Sequence, residues 1–163
     1  MKRLAIVVCI AIIALYTGCK RETEFFKLDA LTEITLNDKY DGVKILEVYV
    51  ISNPPRNPYK LKKVVDDYCD KLPKPDGKYY SIRRWFYKET RNTPRDYTEK
   101  RKDRLWDHID DLILKASWVS NKYWKNASEY HFFKNEDLIK NIRVAEKHDG
   151  TKEEVELAVP RKW

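Results

Sequence analysis

The sequence predicts an α+β domain in which an antiparallel β-sheet packs against an N-terminal helix. Three features of the 163-residue chain support this class. Segments rich in β-branched and aromatic residues alternate with turn signals, one segment has the period of a helix, and predicted strands outnumber predicted helices. Only 4 glycines and 13% aromatic residues indicate a packed core rather than disorder.

A strand and a helix open the predicted domain. Residues 43–51, with the sequence VKILEVYVI, are β-branched and apolar on both faces, which predicts a central strand. Between Pro58 and Pro73, apolar residues recur at the spacing of one helix face, and the second proline ends the pattern. Cys69 lies on this apolar stripe, so we expect a buried, unreactive thiol.

The C-terminal half predicts strands joined by tight turns. Residues 79–89 form an aromatic strand, and strands at 129–134 and 138–147 flank a short turn. His148-Asp149-Gly150 is a hairpin turn that leads into the alternating residues 155–159. Residues 105–119 fit a helix, a strand or both, and a short helix near 98–110 followed by a strand at 112–119 is favoured. The outline loosely resembles the cystatin fold, which by itself implies no function.

The N-terminus has the organisation of a secretory signal. Met1-Lys2-Arg3 is positively charged, and Leu4–Tyr16 is a run of 13 residues without a charge. A helix of that length reaches roughly 20 Å, whereas the hydrocarbon core of a bilayer is about 30 Å thick. The run is therefore too short for a stable transmembrane helix and fits the apolar region of a signal peptide.

Cys19 follows the small residues Thr17-Gly18, and this arrangement resembles the lipobox of bacterial lipoproteins. The resemblance implies a diacylglyceryl group on the thiol and cleavage before Cys19. It also implies a place in the bacterial cell envelope, anchored by lipid, with the outer membrane favoured because Lys20 follows the cysteine. Plain secretion and an uncleaved anchor remain alternatives.

The predicted boundaries give a signal peptide at 1–18, a lipidated cysteine and tether at 19–42, and a single α+β domain at 43–163. Cleavage removes only Lys2 and Arg3 from the 33 basic residues, so 31 remain against 26 acidic residues, a net charge of +5. Cys9 leaves with the signal peptide and Cys19 carries the lipid, so Cys69 has no cysteine with which to form an internal disulfide.

Basic and aromatic residues are interleaved between Lys78 and Arg104, where ten basic residues accompany four acidic ones. Guanidinium groups and flat rings together bind acidic proteins or anionic glycans, although a run of charges is more often a solvated surface. Nucleic acid is not an expected partner of an envelope protein with a modest net charge. The candidate partner-binding residues are Arg83, Arg84, Trp85, Tyr87, Arg101 and Lys102.

An acidic cluster offers a competing function. Asp107, His108, Asp110 and Asp111 place an imidazole beside three carboxylates, as an envelope hydrolase would need, but helical spacing turns the imidazole away from Asp107. No cofactor-binding, metal-binding or nucleophile motif occurs in the sequence. We therefore expect a non-enzymatic module that binds another macromolecule. This partner is either a component of an envelope assembly or a toxin that the module neutralises as an immunity-type protein.

Overall fold

The computed structural model describes residues 22–37, 42–75, 79–97, 105 and 107–159. Cys19 and the rest of the predicted signal peptide lie outside the described residues. Within them, one α-helix and an eight-stranded sheet form the structure. The elements are β1 (Glu24–Lys27), β2 (Glu33–Asn37), β3 (Gly42–Ser52), α1 (Pro58–Cys69), β4 (Tyr79–Lys88), β5 (Leu112–Ser120), β6 (Trp124–Lys134), β7 (Asp137–Lys147) and β8 (Lys152–Leu157).

The sheet is mixed, so the prediction of an antiparallel, cystatin-like sheet was wrong. Its strand order is β1-β3-β4-β5-β6-β7-β8, and β2 pairs with the other half of β3. The pair β3 and β4 is parallel, whereas every other pair is antiparallel. The reason is the crossover through α1, which returns the chain to the starting end of β3 before β4 begins.

Helix α1 forms where the sequence predicted it, but three strands precede it, so it is not N-terminal in the domain. Pro58 is its first residue, and the side chain of Asn57 accepts a hydrogen bond from the backbone N–H of Lys60 at 3.1 Å. Leu61 and Val65 are buried on one face of the helix. This face packs against the sheet and covers one of its two surfaces.

The segment expected to be a tether contributes two strands in its described part. In β1, Phe25 lies opposite Ile51 of β3 and stacks on Tyr68 of α1, with ring centroids 4.1 Å apart. Phe26 points to the other surface of the sheet and packs there. These contacts join residues far apart in sequence, which local composition cannot indicate.

The turns of the C-terminal half match the sequence prediction. Gly150 has a φ of +87° in the turn between β7 and β8, a conformation that glycine adopts without strain. Asn135 and Glu136 connect β6 to β7 with φ values of +49° and +66°. The predicted strand at 112–119 is β5, preceded by a short 3-10 turn at Ile109–Asp111. Most of the helix predicted near 98–110 lies outside the described residues.

Two hydrophobic clusters lie on opposite surfaces of the sheet. The helix face, covered by α1, includes Tyr49, Phe86 and Phe132. The opposite surface, here called the open face, has a smaller cluster near the end where β1 begins. This cluster includes Val50 and Tyr87. No described helix is long and apolar enough to cross a membrane.

Candidate functional site

The open face presents a row of polar side chains across the middle of the sheet. Strand pairing places Leu46 beside Arg83, Arg83 beside Ser117, Ser117 beside Glu129, and Glu129 beside Arg143. Because alternate residues of a strand point to the same side, this row lies on the surface opposite α1. Arg83 and Arg143 are exposed, so the row offers two guanidinium groups to solvent.

A shallow cleft of about 220 Å³ surrounds Arg83 at the β2, β3 and β4 side of this row. Its polar walls include the side chains of Lys44 and Ser81, and Trp85 closes one side. Lys44 and Arg83 are both exposed, and neither forms an ion pair with another described residue. The carboxylate of Glu33 also lines the cleft, so the cleft presents two positive charges and one negative charge, and its net charge is positive.

Trp85 forms a wall of the cleft, but a face of its ring is occupied. The ammonium group of Lys115 lies 4.8 Å from the centroid of the Trp85 ring and 5.4 Å from that of Phe133. Burial lowers the pKa of Lys115, because the ammonium group is partly desolvated. A sugar ring would compete with Lys115 for this surface.

Arg84 follows Arg83 directly and points to the opposite surface of the sheet, where its side chain is only 7% exposed. Its Nε donates to Oε2 of Glu47 at 2.6 Å, and Lys27 reaches Oε1 of the same carboxylate at 2.8 Å. The guanidinium also lies 5.2 Å from the ring of Trp118. Arg84 thus stabilises the interior and is not part of the docking surface that the sequence predicted.

Tyr87 is also buried, in the cluster on the open face, and burial raises its pKa. Two of the six predicted docking residues therefore lie in the interior. Arg101 and Lys102 lie outside the described residues. Arg83 and Trp85 are the two predicted residues that the structure brings together at a surface.

Two residues of the acidic cluster contact other side chains in the structure. Asp111 accepts hydrogen bonds from the hydroxyl groups of Thr90 and Thr93, and Thr93 is fully buried. His108 meets the ring of Tyr97 edge to face, with centroids 6.0 Å apart. No group of three or more potential metal ligands occurs among the described residues. The two hydrogen bonds to Asp111 therefore connect the loop after β4 to the residue that precedes β5.

Cys69 is buried as predicted. Burial raises the pKa of its thiol to about 12, although the positive charge of Arg84 acts in the opposite direction. A thiol with this pKa is almost fully protonated at neutral pH and is a poor nucleophile.

Sequence reasoning missed two residues of this site, Lys44 and Lys115. Lys44 lies in the run 43–51, which the sequence predicts to be apolar on both faces, and Lys115 lies in the segment 105–119, which fits a helix, a strand or both. Strand register brings both near Arg83 and Trp85, and register depends on pairing between distant segments. The period-2 alternation that places Lys44 on the same side of β3 as Leu46 was the available signal.

Comparisons with protein families, with curated proteins and with solved structures gave no match for this chain. Any functional proposal consequently rests on the residues and geometry described above.

Proposed function

We propose that this chain is a lipid-anchored protein of the bacterial cell envelope whose open face docks an acidic protein. Two features support the proposal. The resemblance of residues 1–19 to a lipoprotein signal supplies the anchor at Cys19, and the cleft around Arg83 supplies the docking surface. The outer membrane is the favoured location, and the protein acts by binding rather than by catalysis.

The exposed, unpaired pair of Lys44 and Arg83 carries the docking proposal. Strand pairing places Lys44 beside Ser81 and Leu46 beside Arg83, so the two cations lie on adjacent strands and on neighbouring rows. Adjacent strands are about 4.8 Å apart, which suits two carboxylates of one extended acidic segment. An arginine fork can bind one carboxylate with two parallel hydrogen bonds, and the lysine adds a second charge.

An acidic protein fits the cleft better than an anionic glycan does. Glycan sites use the open face of an aromatic ring, and Lys115 already lies against Trp85. Carboxylate side chains need only the cations and the hydroxyl of Ser81, which line the same cleft. The two partner types that suit such a module are an envelope assembly component and a toxin neutralised at the membrane.

Binding to immobilised poly-L-glutamate tests the docking surface, with heparin as the parallel probe for an anionic glycan. We expect Arg83→Glu to weaken binding to poly-L-glutamate about tenfold at low salt, which corresponds to about 1.4 kcal/mol. Lys63→Glu is the matched control because Lys63 is an exposed cation on α1 and lies outside the cleft.

Equal losses in the two variants would show that binding follows net charge alone and would contradict the assignment of the cleft. Heparin binding that exceeds poly-L-glutamate binding, with the same dependence on Arg83, would replace the acidic protein with an anionic glycan as the partner.

A further inference from the structure

The chain enters the described structure at one end of the sheet, here called the N-terminal end. The backbone oxygen of Glu22 accepts a hydrogen bond from the side chain of Asn53 at 3.3 Å. The hydroxyl of Thr23 donates to the backbone oxygen of Asn53 at 3.0 Å. Glu24 then begins β1 opposite Ser52, the last residue of β3. The start of the domain is therefore attached to the loop that follows β3.

Covalent geometry limits how far this end can lie from the proposed lipid. Only three residue steps separate Cys19 from Glu22, and an extended chain spans at most about 3.6 Å per residue, or roughly 11 Å in total. The 11 residues of β7 extend about 35 Å along the sheet. A lipid on Cys19 therefore holds the N-terminal end near the bilayer, and the far end of an upright sheet lies well away from it.

A groove of about 1000 Å³ lies at this N-terminal end. It is bordered by the loop after β3, the first turn of α1 and the turn between β6 and β7. Ile139 in the groove is 47% exposed, so an aliphatic side chain lies beside the charged residues of the groove. The basic residues that line the groove are Arg56, Lys88 and Lys134, and the acidic ones are Asp110 and Asp111.

The three basic side chains are exposed, and none of them forms an ion pair with another described residue. Of the two acidic residues, Asp111 is held by the hydroxyl groups of Thr90 and Thr93. Unpaired cations beside an exposed aliphatic side chain match the boundary of a bilayer, where phosphate groups adjoin the acyl chains.

We infer that the N-terminal end of the sheet is a membrane-contact surface and that its groove binds phospholipid headgroups. This inference rests on the lipid proposed for Cys19. The docking cleft then stays accessible, because Arg83 lies five residues from Lys88 along β4, a distance of about 17 Å from the N-terminal end. A partner can approach the open face while the opposite end of the sheet points away from the membrane.

Fluorophore labels at opposite ends of the sheet test this orientation in the full lipoprotein. Lys134→Cys and Lys147→Cys are matched positions because each is the exposed last residue of a neighbouring strand. Labelling is specific because lipid blocks Cys19 and Cys69 is buried. The labelled protein is placed in phosphatidylethanolamine vesicles whose headgroups carry a nitroxide, which quenches fluorescence only at short range.

We expect the label at position 134 to be quenched at least threefold more than the label at position 147. Equal quenching, or stronger quenching at position 147, would overturn the orientation. The mass of the same sample shows whether lipid is attached, so failure of the anchor is distinguished from failure of the orientation. An unlipidated mass would remove the basis of the inference, whereas binding of poly-L-glutamate would still report on the docking cleft.

The headgroup contact is tested by the charge of the lipids. Replacing a third of the lipid with phosphatidylglycerol should increase quenching at position 134 about twofold. The variant Arg56→Ser with Lys88→Ser should lose this increase, and the control variant Lys71→Ser with Lys74→Ser, at the other end of α1, should retain it. The same increase in both double variants would contradict headgroup binding by the groove.

Discussion

The buried ion pair between Arg84 and Glu47 predicts a large loss of stability when its acid is neutralised. The two side chains are only 7% and 12% exposed, and Nε lies 2.6 Å from Oε2. Glu47→Gln leaves the guanidinium buried without a counterion, which typically costs about 3–5 kcal/mol. Because domains of this size have a total stability of about 5–15 kcal/mol, the loss should be easy to measure.

The pH dependence of this effect has a definite sign. Burial raises the pKa of Glu47, but hydrogen bonds and charge from Lys27 and Arg84 outweigh it, and the net pKa is lowered. The pKa of Glu47 in the folded protein is thus below the ordinary value of 4.5 for a glutamate carboxyl. The ion pair therefore contributes its full stability above the unfolded pKa, and this contribution is lost as the pH falls through the folded pKa.

Urea unfolding followed by tryptophan fluorescence measures both effects at pH 7 and at pH 3. The difference between wild type and Glu47→Gln should be large at pH 7 and should shrink at pH 3. Glu146→Gln is the control, because its partner Lys125 is 57% exposed, and it should cost less than about 1 kcal/mol. A cost below about 1 kcal/mol for Glu47→Gln, or an unchanged difference at the two pH values, would refute this reasoning.

Two further predictions concern backbone features and use the same urea assay. Asn57→Ala removes the side-chain oxygen that accepts the N–H of Lys60, so we expect a loss of about 1 kcal/mol, and an unchanged stability would contradict the role of this cap. Glu136→Gly should stabilise the protein by about 0.5–1 kcal/mol, because Glu136 has a φ of +66°, while Glu136→Ala should have little effect. Destabilisation by glycine would show that this turn is not strained.

The elements with a strong local pattern were predictable from the sequence. The β-branched run at 43–51, the helical period after Pro58 and the turn at Gly150 all appear in the structure at the expected places. Each of these depends on residues close together in the chain. The strands β1 and β2 were not predictable in this way, because their short sequences, EFFK and EITLN, become strands only by pairing with β3.

The amino-acid composition of β3 and β4 does not indicate that these two strands pair in parallel. The predicted order of strand, helix and strand is itself typical of a parallel crossover. The hairpin signals near the C-terminus favoured an antiparallel sheet, and they are correct for β6 through β8. The mixed sheet therefore contains both a parallel crossover at β3 and β4 and antiparallel hairpins near the C-terminus.

In the candidate site, the basic residues were visible in the sequence, but the surface that each side chain reaches was not. The basic run around Arg83 and Arg84 was visible in the sequence, but the two side chains point to opposite surfaces. Which one reaches solvent depends on the surface that α1 covers, and that is decided by packing between distant segments. Lys44 joins Arg83 only through the register of β3 and β4.

Mass spectrometry of the mature protein purified from membranes tests the central claim most directly. Both the proposed envelope function and the membrane-facing groove depend on a lipid at Cys19. We expect a chain that begins at Cys19 and carries a diacylglyceryl group, and we expect Cys19→Ser to abolish both the cleavage and the added mass. A wild-type chain with an unmodified Cys19 would contradict the account.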